Sequence, residues 1–279
     1  MTLIVMMATL GLTLTLDEFR KVLAAPRALF IGLFAQIVML PLVAVGIVWL
    51  IDPLFAIGMG IIILACCPSA ATSNFFSYLA RGDLALSVSL TAVSAIVVLV
   101  TTPIFINFGF WLVTGEGQDI SLPVIPAMQQ ILILIVLPLS VGMGLRAYSR
   151  ELAMAIEPYA TRLAFATILF LMAVLFAEVY PDLSFLLKTT LLPVATLNVI
   201  MMMMGYLLAT LFKLAKAQAR TITVEAGIQN YILAVVISIS ILQRPDFALA
   251  AIVYLFTMYI CVFSFIALSR FQDRRDKQQ

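Results

Sequence analysis

Long apolar runs, interrupted by short clusters of charge, proline and glycine, divide this chain into nine segments. The first is Met1–Leu16, closed by Asp17, Glu18, Arg20 and Lys21. The second runs from Leu29 to Leu50, ahead of Asp52-Pro53, and the third from Phe55 through Pro68 to Leu79. Leu84–Phe108 is the fourth, followed by a polar loop with Glu116, Gly117 and Asp119. Pro126–Leu145, Tyr159–Val179 and Leu183–Leu211 make the fifth to seventh, with Lys188 drawing the start of the seventh to the interface. The eighth lies between Arg220 and Arg244 and the ninth between Phe247 and Leu268. A bilayer-crossing helix needs about 20 mostly apolar residues. The pattern therefore predicts an all-α membrane protein of about nine transmembrane helices in one transporter-sized domain over residues 1–279.

Composition agrees with that reading. Of the 279 residues 64% are apolar and only 11% charged, whereas a soluble globular chain carries about a quarter charged residues. No room remains for a separate soluble domain. The opening segment lacks the basic start and small-residue cleavage site of a secretory signal, so it is expected to stay as a short membrane helix. Charge placement gives orientation. With the Arg20/Lys21/Arg27 loop inside, Arg81, Arg146, Arg150, Arg162, Lys213, Lys216, Arg220, Arg270, Arg274, Arg275 and Lys277 also fall inside, and only Lys188 and Arg244 fall outside. By the positive-inside rule the N-terminus faces out and the C-terminus is cytoplasmic. These basic clusters serve topology and lipid headgroups, since no loop is long enough to form a nucleic-acid surface.

Function classes narrow at the same time. The chain has no histidine, so the usual general base, metal ligand and pH switch are missing together. Cys66, Cys67 and Cys261 sit in apolar runs without metal spacing and are read as small buried side chains. No paired membrane aspartates exist either, and an intramembrane enzyme is disfavoured.

Two spans break their apolar pattern alike. The third contains Cys66-Cys67-Pro68-Ser69-Ala70-Ala71-Thr72-Ser73-Asn74, and the eighth contains Thr221-Ile222-Thr223-Val224-Glu225-Ala226-Gly227-Ile228-Gln229-Asn230. Pro68 removes an amide donor and Gly227 weakens the helix, so both spans can unwind in mid-membrane. Unwound backbone is tolerated there only inside protein or along a cavity, and paired interrupted helices are the best sequence pointer to a transport site. Glu225 adds a carboxylate, which costs roughly 3 kcal/mol in a span on insertion scales. Its five-residue offset from Arg220 is poor for an ion pair on one helix. Ser87 and Thr91, spaced i,i+4, share a face of the fourth span, and Gln36 is an isolated amide in the second. Together with Ser73, Asn74 and Gln229 these residues supply the oxygen ligands and negative charge that a hard cation such as Na+ needs.

The stretch from Cys67-Pro68-Ser69 to Asn74, then Tyr78-Leu79-Ala80-Arg81-Gly82-Asp83, Ala85-Leu86-Ser87 and Thr91, resembles the bile acid:sodium symporter (BASS) family, as do Gly11-Leu12-Thr13-Leu14 and Glu225 to Asn230. The resemblance implies an imperfect inverted repeat and two domains. The core would include residues 55–108 and 217–243, with two crossing broken helices. The panel would include part of 1–50 and 159–180. It implies one sodium site at Ser73, Asn74, Ser87, Thr91 and Glu225. A second would use Gln36, Glu225 and Gln229 with the carbonyls of Ala226 and Ile228. Asn230 and the stretch Ser69, Ala70, Ala71 and Thr72 would face substrate. Expected partners are Na+, a small organic anion and the lipid bilayer, in a bacterial inner membrane.

Departures from the family pattern bear on the cargo. Many bacterial members have a helix ahead of the segment that comes first here, and many carry Gly-Gly-Thr where this chain has Ser69-Ala70-Ala71. A smaller carboxylate or sulfonate is therefore as well suited as a bile acid. An efflux carrier for arsenite or another metabolite on a related fold, using Cys66 or Cys67 as a thiol ligand, is the alternative.

Overall fold

A computed structural model describes residues 2–14, 26–115, 121–179 and 183–276. Leu16 at the end of the first expected span, the Asp17–Lys21 cluster, the Glu116–Asp119 loop and Lys277 lie outside the described residues. Among the described residues the regular structure is entirely helical. In chain order the helices are α1 (Thr2–Thr13), α2 (Pro26–Ile51), α3 (Phe55–Ala65), α4 (Thr72–Leu79), α5 (Leu84–Thr114) and α6 (Val124–Tyr148). They continue as α7 (Arg150–Val179), α8 (Leu183–Leu211), α9 (Lys216–Gly227), α10 (Tyr231–Ile241) and α11 (Ala248–Asp276). Five of the described helices are both long and apolar enough to cross a bilayer, and three shorter apolar ones accompany them. Helices of that length and composition mark a multi-pass membrane protein.

Local chemistry explains several boundaries. Pro41 and Pro138 cannot donate to the preceding turn, and that turn widens over Ala35–Met39 in α2 and over Leu132–Val136 in α6. The widened turn of α2 carries Gln36. Asp83 starts α5 by accepting the Leu86 amide at 3.1 Å. Helix α2 ends at Asp52, whose left-handed backbone (φ 48°) precedes Pro53.

Three helices extend beyond the expected spans. Helix α5 runs on to Thr114, α7 begins at Arg150 rather than Tyr159 and contains Pro158, and α11 continues past Leu268 to Asp276. At about 1.5 Å per residue, the 29 residues of α11 outreach a hydrocarbon layer of about 30 Å. Its charged end therefore stands in the interface while remaining helical.

The helices pack in two groups. Helices α1, α6 and α7 lie against one another. Gly11 and Gly142 bring the first two so close that a Cβ on either would strike the other's backbone. The remaining helices surround a core that includes Met59, Ile61–Leu64, Phe247 and Tyr254, all essentially without exposure. Within this second group α3 and α4 form one interrupted span, and α9 and α10 another.

Candidate functional site

The two interruptions meet. Residues 66–71 and 228–230 are non-helical, and a single antiparallel bridge joins Ser69 to Gln229. The Asn230 amide donates to the Pro68 carbonyl (2.8 Å), and the Ala70 amide donates to the Ile228 carbonyl (3.3 Å). Each break thus supplies partners for the backbone groups that the other leaves free, which is what lets irregular backbone persist at membrane depth. The crossing collects the C-terminal ends of α3 and α9, with partial negative charge, and the N-terminal ends of α4 and α10, with partial positive charge. Asn230 caps α10, its side-chain oxygen accepting the Leu233 amide at 3.1 Å.

Glu225 lies two residues before the end of α9 with no exposure at all. Ser69 donates to its Oε2 (2.6 Å) and Ser73 to its Oε1 (2.7 Å). Ser87 also donates to Oε1, and Thr91 reaches Oε2 at 3.3 Å. The Gln36 amide contributes a longer contact of 3.5 Å. Asn74 joins from one side, its Oδ1 lying 2.8 Å from the same Ser87 hydroxyl oxygen. Arg220 does not reach the carboxylate. Its guanidinium pairs with Asp273 at 2.6 Å and donates to the Ser269 carbonyl at 3.1 Å. Among the described residues Glu225 has no basic partner, and hydroxyl and amide donors alone face its charge.

The last carbonyls of α9 are held by amides. Gln36 Nε2 donates to the Glu225 carbonyl (3.0 Å), and Gln229 Nε2 to the Ala226 carbonyl (3.0 Å). In these positions the side-chain oxygens of Gln36 and Gln229 are buried and accept no hydrogen bond among the described residues. Orphaned acceptors of this kind cost roughly 1–3 kcal/mol each. A cavity of about 10 Å³, the size of one water, lies beside Gln36 between Cys66, Cys67, Pro68, Ser94 and Thr101. The donor set is hydroxyl, carboxylate and amide oxygen throughout, which suits a hard cation and not a thiophilic metal. Cys66 and Cys67 are buried, and the Cys67 thiol donates to the Ile63 carbonyl of its own helix at 3.3 Å. No cluster of His, Cys, Asp and Glu able to hold a metal occurs among the described residues.

A model of the Sodium Bile acid symporter family matches residues 1–183 of the 279. The chain belongs to this family. The match includes the first broken span, while the Glu225 segment lies beyond it. Among similar proteins, a probable chloroplastic sodium/metabolite cotransporter, BASS1 of Arabidopsis thaliana, is 29% identical over 87% of this chain and 59% of its own length. The sodium-dependent transporter YocS of Bacillus subtilis is 31% identical over 81% of this chain and 68% of its own. The P3 protein of Mus musculus is 26% identical over 80% of this chain and 47% of its own. The chain thus spans about half to two thirds of the length of these relatives.

Within this symporter-family fold, Ser73, Asn74, Ser87, Thr91, Glu225, Gln36 and Gln229 gather within one hydrogen-bonded cluster. Ser69, placed on the substrate side by the resemblance, has its hydroxyl on the Glu225 carboxylate. Ala70 is buried, Ala71 and Thr72 are half-buried at the start of α4, and Asn230 keeps a buried side-chain nitrogen without an acceptor among the described residues. Two residues of the site escaped the sequence reading. Asn198 of α8 donates to the Gly227 carbonyl (2.7 Å) and to the Tyr254 hydroxyl (2.8 Å). Tyr254 of α11 donates to the same carbonyl (3.0 Å). Asn198 did carry a signal, being an amide within an otherwise apolar span, as Gln36 is.

Proposed function

We propose that this protein is a sodium-coupled carrier of a small organic anion, working by alternating access around the crossing of its two broken spans. The observation that supports this most directly is Glu225, a fully buried carboxylate faced by four hydroxyls, with orphaned amide oxygens one residue layer away. That arrangement calls for a monovalent cation. The names of the Arabidopsis and Bacillus relatives, both sodium-dependent, favour Na+. On this reading Ser73, Asn74, Ser87, Thr91 and Glu225 form one sodium site, and we add Ser69 to it because of its bond to the carboxylate. Gln36, Glu225 and Gln229, with the carbonyls of Ala226 and Ile228, form the other. Asn230, with its unused amide donor, and the start of α4 at Ala70, Ala71 and Thr72 face the anion, where two helix N-termini favour negative charge.

The larger architecture belongs to the same proposal. The chain crosses the membrane nine times as an imperfect inverted repeat, with a cytoplasmic C-terminus in a bacterial inner membrane. The panel is α1, α6 and α7, which pack on each other, and the core is the group containing both broken spans. Helix α2 packs with that core group, so the first 50 residues divide between the two.

Uptake into proteoliposomes of a panel of carboxylates and sulfonates, with and without an inward sodium gradient, tests the function. Glu225→Gln tests the mechanism. It should abolish both sodium-dependent uptake and sodium-dependent thermal stabilisation while eluting as a folded species. Unchanged sodium dependence in that variant would refute the assignment.

A further inference from the structure

At one membrane boundary a basic pocket of about 310 Å³ is lined by Arg81, Arg270, Asp273 and Arg274. Asp273 is already engaged by three cations: Arg220 at 2.6 Å, Lys216 at 3.1 Å and Arg81 at 3.2 Å. Arg270 donates to the Leu79 carbonyl at the end of α4 at 3.2 Å. Arg274 is exposed and makes no hydrogen bond or ion pair among the described residues. One carboxylate of the lining therefore faces five basic side chains, and Asp83, ahead of α5, is turned to cap that helix. The excess is positive and concentrated on one concave surface. Arg270 and Arg274 are spaced i,i+4 on α11, so both guanidinium groups project to one side.

The adjoining surface is apolar. Phe263 lies seven residues before Arg270, two turns along the same face of α11, and is 54% exposed. Phe75 and Tyr78 of α4 are exposed, and Phe76 of the same helix packs edge-on against Phe263 at 5.3 Å. A phosphate bound by the arginines would thus continue into a lipid-facing aromatic surface on the same two helices. A soluble anion has no use for that surface. Basic pockets between transmembrane helices at the headgroup level are a recurrent means of holding anionic lipids.

We infer that the Arg81–Arg270–Arg274 pocket binds the phosphodiester headgroup of an anionic phospholipid, with its acyl chains along Phe75, Tyr78 and Phe263. The site lies outside the Glu225 cluster and does not depend on the cargo proposed above. It touches the end of α4 through Leu79 and the start of α9 through Asp273, so a bound lipid would brace the ends of both broken spans.

The test is native mass spectrometry of the full chain in non-ionic detergent, titrated with phosphatidylglycerol or phosphatidylcholine. Phosphatidylglycerol adducts should persist at concentrations where phosphatidylcholine adducts do not. Each interfacial basic residue contributes about a fivefold factor in binding, so Arg274→Gln should weaken retention about fivefold and Arg270→Gln/Arg274→Gln about 25-fold. Arg274→Gln removes no bond within the described residues, so its fold is expected to be intact. Arg146→Gln, away from the pocket, should change nothing. Equal retention of the two lipids, or a double variant that keeps phosphatidylglycerol as the parent does, overturns the inference. Displacement by glycerol 1-phosphate at lipid-like concentrations would show that the headgroup alone suffices and would overturn the lipid assignment.

Discussion

The Gly227 carbonyl offers a test of how the broken span is held. It ends α9 two residues after Glu225 and receives two donors, Asn198 Nδ2 at 2.7 Å and the Tyr254 hydroxyl at 3.0 Å. Asn198→Leu leaves the tyrosine donor in place and also removes Asn198 Oδ1, a buried oxygen without a partner among the described residues. Tyr254→Phe leaves the asparagine donor. Interhelical hydrogen bonds in membrane proteins average about 0.6 kcal/mol, so each single change should cost about 0.5–1 kcal/mol. The double variant differs in kind, because only there does a buried carbonyl lose every donor, which adds about 1–3 kcal/mol.

The cycle should therefore show a coupling of about 1–2 kcal/mol, well above the roughly 0.5 kcal/mol scatter of independent sites. Chains of about 150–250 residues lose roughly 2–4 °C in Tm per kcal/mol, which makes the excess visible in a melt. A thiol-reactive dye can follow unfolding, since Cys66 and Cys67 are buried in the fold and become accessible when it opens. If the double variant's shift equals the sum of the two single shifts, the carbonyl is not held as described and the reasoning fails.

Other perturbations separate close packing from charge. Gly11→Ala would drive a Cβ into the Leu139 carbonyl and the Gly142 backbone, whereas Gly46 has open space around it. The first should therefore lower Tm by several degrees, at about 1–3 kcal/mol for overpacking, and Gly46→Ala should leave the melt within a degree of the parent. Asp273→Asn removes the carboxylate shared by Arg81, Lys216 and Arg220 and leaves a nearly buried guanidinium with the Ser269 carbonyl. A loss of about 1–3 kcal/mol is expected, measured as a lower Tm whose gap from the parent narrows as NaCl rises toward 1 M. Cys66→Ala/Cys67→Ala should transport at the parent rate, since the Glu225 carboxylate is met by hydroxyl and amide groups and the Cys67 thiol donates to the Ile63 carbonyl. Loss of transport in a folded double variant would instead favour a thiol-dependent cargo.

The positions of the breaks were legible because their causes are local. Pro68 removes a donor, Gly227 weakens a helix, and the polar residues after each have no reason to face lipid. Glu225 was legible as a buried group because one carboxylate in a long apolar run has few ways to be satisfied. What the sequence hid is mostly non-local. The bridge between Ser69 and Gln229 joins segments far apart in the chain, and no residue type announces it. Ser69 illustrates the cost, since in a non-helical segment no periodicity says which way its hydroxyl points, and it meets the carboxylate. Helix ends were misjudged at Arg150 and beyond Leu268 because charge marks where the hydrocarbon stops, whereas a helix with internally paired backbone can continue into the interface.

The origin of the donors constrains how a carrier of this kind could move. Glu225 belongs to α9, its hydroxyl partners come from the first break, α4 and α5, and Gln36 comes from α2. The Asn198–Tyr254 clamp on Gly227 adds α8 and α11. Sliding any one of these helices by a turn, about 5.4 Å, would strip the buried carboxylate or the Gly227 carbonyl of its donors without supplying others. In the carrier proposed above, the broken spans would therefore travel together with α2, α5, α8 and α11 as one body. Among the described residues helices α1, α6 and α7 contribute no hydrogen bond to the cluster, and in the proposed carrier the relative motion would fall at their contact with the rest. In the carrier proposed above, a cation completing the Glu225 site would stiffen that moving body and leave the hinge elsewhere, so sodium should protect the amides of residues 66–74 and 225–231 from hydrogen exchange far more than those of α6.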